Sequence, residues 1–339
     1  MRVTWVDNAK GLAIIVVVFC HVCIGLTRRG MDPYPGAGQL IYRMGDNFGA
    51  QVFFFLAGLF VESSLRKRGK RVFILGKVET VLYPYVIFSL LQGSMEALLS
   101  KYTNMKITFS EVLTLFIMPR AQFWFLFTLF PCLVIIAVFH SVRFQTRHLA
   151  IAYALGAAAF IATPRWYNPP QLAYVTHNIV FLLAGMLYAR LPGIGARRTA
   201  IAIASAAAIA GNLWMSMHPG YLEYRMLVLP MSLGCIAALS GLAALIAKTG
   251  VKLLEVPGRY SMEIYVLHIL ACAGSRIILE HFFGIRNWTV HMAAGTVLGL
   301  AGPIVAYKLA MRFGFKFLFV CPVTLASGGA PASGGDRRP

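Results

Sequence analysis

The stretch Lys10-Gly11-Leu12-Ala13-Ile14-Ile15-Val16-Val17-Val18-Phe19-Cys20-His21 has an ionisable residue at each end and no charge between them. At helical pitch the eleven-residue step brings both side chains within about 20° of one face, about 16 Å apart. A helix this apolar belongs in a core or a bilayer, and an imidazole inside it is costly unless something uses it. The stretch therefore predicts a first helix that carries chemistry as well as an anchor.

The rest of the chain decides between core and bilayer. Of 339 residues, 58% are hydrophobic and 13% are charged, against about 25% charged in soluble domains. Apolar stretches of spanning length recur from end to end. Ten-residue alternating segments, which a membrane barrel requires, are missing from the sequence. The expected fold is an all-α polytopic membrane protein. A net charge of +19 suits short basic loops on one side of a membrane, so no nucleic acid partner is expected. Cys20, Cys23, Cys132, Cys235, Cys272 and Cys321 lie in or beside apolar segments without paired spacing, and read as free thiols. No metal site is expected. Asp7, Lys10 and His21 interrupt any signal-peptide pattern, so the first helix is expected to be retained.

About ten transmembrane helices are expected, near 10–26, 44–65, 72–99, 123–141, 149–162, 173–191, 200–217, 226–247, 261–282 and 290–311. The third is long enough to tilt or emerge, and the fifth is short. With the N-terminus inside, the loops divide 19 Lys and Arg against 8 outside, which places both termini in the cytoplasm. Residues 1–320 form the membrane domain and 321–339 a flexible cytoplasmic tail. Between Thr108 and Arg120 a mildly amphipathic stretch suits the outer surface, and the aromatic loop from Pro164 to Pro170 suits the membrane interface.

Three groups of residues are candidates for chemistry. His21 either hydrogen-bonds a neighbouring helix or acts as a base, with Lys10 and Asp7 on much the same face. Arg66-Lys67-Arg68-Gly69-Lys70-Arg71 is a topology signal touching anionic lipid, or a phosphate clamp, and both roles are compatible. Ser261, Tyr265 and His268 share one face of the ninth span, as a seam between helices or a second wall of a site. Glu263 lies off that face and suits an inner-loop cation. Arg276 and Glu280 have the spacing of a local ion pair. An acyl-CoA has the shape that Lys10 and His21 suggest, with an anionic head and a long reactive arm.

The order of motifs resembles membrane-bound acyltransferase family 3, the bacterial O-acyltransferases that include sugar and fucose O-acetylases. The resemblance runs through Val6-Asp7-Asn8-Ala9-Lys10-Gly11 to His21, Phe53-Phe54-Phe55-Leu56-Ala57-Gly58, Arg68 and Arg71, Tyr83-Pro84-Tyr85, Phe123-Trp124-Phe125-Leu126 and Ser261-x-x-Ile264-Tyr265-x-x-His268. It implies His21 as the essential histidine with Lys10 as its basic partner. It further implies Lys10, Arg68 and Arg71 on the donor, and Asp7, Trp124, Ser261, Tyr265 and His268 as site support. Ala57 stands where the pattern has serine, so no hydroxyl role carries over to that position.

The expectation that follows is a multi-pass protein of the bacterial inner membrane. It moves an acyl group, acetyl in the first instance, from cytoplasmic acyl-CoA to a hydroxyl of a periplasmic or cell-surface sugar or polysaccharide. Acyl-CoA is then a donor substrate, and no cofactor is held permanently. The partners are the bilayer, the acceptor and polysaccharide-assembly proteins. Two other classes use the same residues: a secondary transporter with Lys10, His21 and Glu263 at its binding site, and a b-type haem protein with mid-membrane histidine ligands.

Overall fold

Apolar stretches this long satisfy their backbone groups within helices, and helix is what the chain forms. The computed structural model describes residues 3–34, 36–98, 109–140, 145–164, 170–191, 198–218, 220 and 225–326, and no strand occurs among them. Eight helical segments are long and apolar enough to cross a membrane. They are Thr4–Thr27, Ala37–Arg68, Lys70–Leu98, Ala121–Phe139, Pro170–Arg190, Arg225–Thr249, Ser261–Phe282 and Trp288–Arg312. Two shorter apolar segments, Thr146–Ala162 and Ile201–Met217, fall where the fifth and seventh spans were expected.

Helix α1 (Thr4–Thr27) is the hub. It touches α2 (Ala37–Asp46), α3 (Gly49–Lys77), α10 (Arg225–Thr249), α11 (Glu255–Arg259), α12 (Ser261–Ile277) and α13 (Trp288–Arg312). Its contact with α11 is backbone on backbone. A Cβ at Gly11 would strike the Leu254 carbonyl, and one at Gly258 would strike the Asp7 carbonyl. Only glycine permits this approach, which pins the Lys10 turn of α1 beside the start of α12.

The second expected span is two pieces, α2 and α3, separated at Asn47 and Phe48. Polar side chains cover the break. Asn47 donates to Asn212 (2.7 Å), Asn212 to the Met44 carbonyl (3.0 Å) and Ser232 to the Asn47 carbonyl (2.6 Å). Non-helical backbone at membrane depth persists where protein groups satisfy it in this way.

The basic cluster is not the simple loop that its composition suggests. Helical turns continue through it, broken at Gly69 by a left-handed conformation (φ 74°) that glycine accepts without strain. Part of the cluster is structural. Arg66 pairs with Glu62 at 2.6 Å, Arg190 of α8 (Pro170–Arg190) meets the same carboxylate through two nitrogens at 2.6 and 2.7 Å, and Lys70 donates to the Val138 carbonyl at 2.7 Å. Beyond the kink, a π-turn at Val78–Leu82 joins α3 to α4 (Tyr83–Leu98).

Two peripheral stretches complete the picture. Helix α5 (Phe109–Val112) and a 3₁₀ turn over Leu113–Phe116 form short pieces with Leu113, Phe116, Ile117 and Met118 exposed, as expected of a surface segment. After α13 the chain stays docked. Tyr83 donates its hydroxyl to the Phe317 carbonyl, Phe319 packs edge-on to Tyr307 and tilted against Phe88, and the Ala326 amide donates to Glu79 at 2.7 Å. The packed chain therefore extends past residue 320, and the tail expected from 321 is attached through Ala326. Residues 327–339, like the 165–169 part of the aromatic loop, lie outside the described residues.

Candidate functional site

A cavity of about 280 Å³ lies between α1, α3, α6 (Trp124–Phe139), α12 and the π-turn. Its walls along α3 run from Ser64 to Phe53, eleven residues or about 16 Å of helix. Lys10, Lys77, Ser64 and Ser261 supply its polar atoms at one end. Leu56, Ala57, Phe60, Val61, Leu126, Leu129 and Leu133 make an apolar shaft. Phe53, Phe125 and Tyr265 close the other end, with Phe125 in edge-on contact with Phe53 at 5.9 Å and with Tyr265 at 5.3 Å.

Lys77 lies within electrostatic reach of Lys10 and Arg68. Like charges this close to an apolar wall repel one another, and an anionic ligand relieves that repulsion. Arg68 and Arg71 are exposed beside the Gly69 kink and lie outside the cavity lining. The cation that reaches the cavity from this part of the chain is thus Lys77, one π-turn away from Val81, also in the lining. Sequence reasoning passed over Lys77. A lone cation inside the otherwise apolar third span was the signal that marked it.

His21 is not part of the cavity lining. It lies past Tyr265, reached through His268. The Tyr265 and His268 rings are 6.2 Å apart, and the His268 and His21 rings meet edge to face at 5.0 Å. The two rings are thus in direct contact with each other. Lys10 therefore lines the cavity, and His21 stands behind its Tyr265 end.

Both histidines have defined tautomers. His21 Nδ1 lies 2.8 Å from the Val17 carbonyl oxygen, and His268 Nδ1 lies 2.8 and 3.1 Å from those of Tyr265 and Ile264. A carbonyl oxygen only accepts, so each Nδ1 carries the proton and each Nε2 keeps its lone pair. His268 is fully buried, and its Nε2 has no hydrogen-bond partner among the described residues. The Tyr42 ring of α2 approaches His21 from the other side at 6.1 Å.

The remaining expected site residues take supporting places. The Tyr265 hydroxyl donates to the Gln122 backbone carbonyl, tying α12 to the turn before α6. Gln122 in turn exchanges side-chain hydrogen bonds with Gln92 (2.8 and 3.4 Å), and Arg120 pairs with Glu96 at 3.1 Å. Sequence reasoning missed this polar group, because its members are scattered over two spans and a loop. Trp124 stacks on Tyr174 at 6.2 Å and stands outside the cavity. Asp7 is buried at the contact with α11. Glu263 lies near Tyr307 on the α13 side, away from the cavity, with a buried Oε2 that has no hydrogen-bond partner among the described residues. Glu280 lies within electrostatic reach of Arg276, its expected partner, and also pairs with Arg29 at 3.4 Å, while Arg276 donates to the Gly25 carbonyl at 3.1 Å. All six cysteines are free.

A family model described as an acyltransferase domain, acyltransferase family 3, matches residues 3–308. The chain belongs to that family, and is a membrane acyltransferase with multiple apolar helices. No curated protein and no solved structure matches it.

Proposed function

We propose that the protein is a membrane O-acyltransferase that takes an acyl group from acyl-CoA on the Lys10 side and delivers it to a sugar or polysaccharide hydroxyl on the His21 side. With ten crossings and both termini in the cytoplasm of a bacterial inner membrane, the Lys10 side is the cytoplasmic one. The observation that carries the proposal is the cavity, cationic at one end and ending in aromatic rings next to the histidine pair. Phosphates of CoA meet Lys10, Lys77 and the nearby Arg68 and Arg71, and the pantetheine arm follows the apolar shaft. Passing Tyr265 and Phe125 brings the thioester to His21, so those rings must give way during turnover.

The chemistry is general base catalysis. His21 Nε2 takes the proton of the acceptor hydroxyl as its oxygen attacks the thioester carbonyl. The C–S bond breaks, the thiolate leaves, and the imidazolium returns the proton to it as free CoA. Acetyl is the acyl group proposed first. The transport reading draws no support from the family match.

Mass spectrometry of surface glycans from cells with and without the gene tests this reading. Loss of a defined acyl substituent, restored by the intact gene and not by His21→Ala, is the expected result. Identical glycans in both cells would overturn it.

A further inference from the structure

We infer that Glu79 is a positioning residue for the donor: by tying the docked C-terminal strap to the π-turn, it holds Lys77 at the polar end of the cavity. The inference deepens the acyl-CoA reading above and rests on it. It starts from the helical piece 70–77, which lies between two breaks. Gly69 interrupts the helix on one side with its left-handed backbone, and the π-turn Val78–Leu82 follows on the other. A helix this short does not hold itself in place, and a π-turn replaces the usual helical hydrogen bonds. Yet this piece and the turn supply Phe73, Lys77 and Val81 to the cavity wall, and the Lys77 ammonium lies 5.2 Å from the centre of the Phe73 ring. Contacts from outside the piece have to fix it.

Its start is fixed by Lys70, which donates to the Val138 carbonyl at 2.7 Å. Its end is fixed by the strap, the stretch 313–326 that follows α13. At about 100° per residue, Glu79 falls on the side of the helix opposite Lys77. There its carboxylate accepts the Ala326 amide at 2.7 Å. Gly76 faces the strap as well, since a Cβ at Gly76 would stand 4.0 Å from that of Ala326. The strap is itself anchored, by the Tyr83 hydroxyl on the Phe317 carbonyl and by Phe319 against Phe88 and Tyr307. The turn that carries Lys77 is thus held from behind while its other face lines the cavity. A cation fixed before binding loses less freedom when a phosphate arrives, so the brace acts on donor affinity and not on the chemical step.

The test follows transfer of radiolabelled acetyl-CoA into the cell's own glycans in permeabilised membranes, where the donor reaches both faces. Glu79→Ala removes the acceptor and should raise the KM for acetyl-CoA by about 3–10-fold, the reach of one hydrogen bond, with the saturated rate unchanged. Glu79→Gln retains an oxygen for the Ala326 amide. It should keep KM at or below the wild-type value, since it also removes a negative charge from a cationic region. The 4.0 Å spacing matches the Cβ–Cβ distance of a disulfide, so Gly76→Cys with Ala326→Cys can replace the lost hydrogen bond by a covalent one. In the Glu79→Ala background, oxidising this pair with copper phenanthroline should restore the wild-type KM, and dithiothreitol should abolish the rescue. Peptide mass spectrometry verifies the cross-link. An unchanged KM in Glu79→Ala, an equal shift in both Glu79 variants, or a cross-link that stops turnover or restores nothing would overturn the brace. Wild-type membranes that transfer no label at any acetyl-CoA concentration would instead overturn the donor reading on which it rests.

Discussion

The two ends of the Lys10–His21 helix face solve different problems. At the Lys10 end, cations from α1 and the end of α3 gather beside apolar walls, an arrangement that suits an anionic ligand. At the His21 end the groups are neutral rings in contact, and the unsatisfied feature is a lone pair. The first end is built to bind and the second to move a proton. Binding that is equal in ground and transition states lowers KM, whereas a group needed only in the transition state raises kcat. Substitutions at the two ends should therefore divide cleanly between these parameters.

The largest effect is expected at the neutral end. His21→Ala should lower acyl transfer by about 10²–10⁴-fold with membrane insertion intact, as loss of a general base does. Glycan acylation near the wild-type level in a well-expressed variant would break the comparison at its proton-moving end. Next comes the cationic end. Lys77→Ala and Lys10→Ala should each raise the KM for acyl-CoA by about 10–100-fold, the range for a lost charge-assisted contact. Saturated rates should change much less, and Lys10→Arg should be tolerated because a long cation is retained. A fall in kcat with KM unchanged would move the lysines to the other class.

Arg68→Ala and Arg71→Ala are expected to weaken acyl-CoA binding less than Lys77→Ala, because these side chains are exposed and their charges are screened. Raising salt should erase their effect before that of Lys77. Equal effects from all three would mean that the phosphates sit at the kink and not at the cavity. The smallest effect belongs between the two ends. Tyr265→Phe removes one of two donors to the Gln122 carbonyl, which keeps the Trp124 N–H, and should lower stability by about 0.5–1.5 kcal/mol, read by thermal unfolding in detergent.

Much of this was legible because apolar runs and charge steps are local properties. Both the Lys10–His21 stretch and the Ser261–Tyr265–His268 face read directly from helical periodicity, and the helices fall where the apolar runs are. What stayed hidden depends on partners distant in sequence. Nothing in α1 says that α12 lies against it, so the His21–His268 contact had no local sign. The role of Lys77 depends on a π-turn, which leaves no periodic trace, and on a glycine kink concealed within a basic cluster. Glu280 reaches Arg29 across helices in addition to Arg276, its neighbour in sequence, because charges near a helix end have several partners within reach.

The central claim is that donor and acceptor arrive from opposite ends of one route. Sealed vesicles of both orientations, supplied with radiolabelled acetyl-CoA outside and carrying the cell's own glycans, test it most directly, since CoA phosphates do not cross hydrocarbon unaided. Inside-out vesicles, which expose the Lys10 end, should transfer label, right-side-out vesicles should not, and Lys77→Ala should raise the acetyl-CoA concentration required. Transfer confined to right-side-out vesicles would contradict the account.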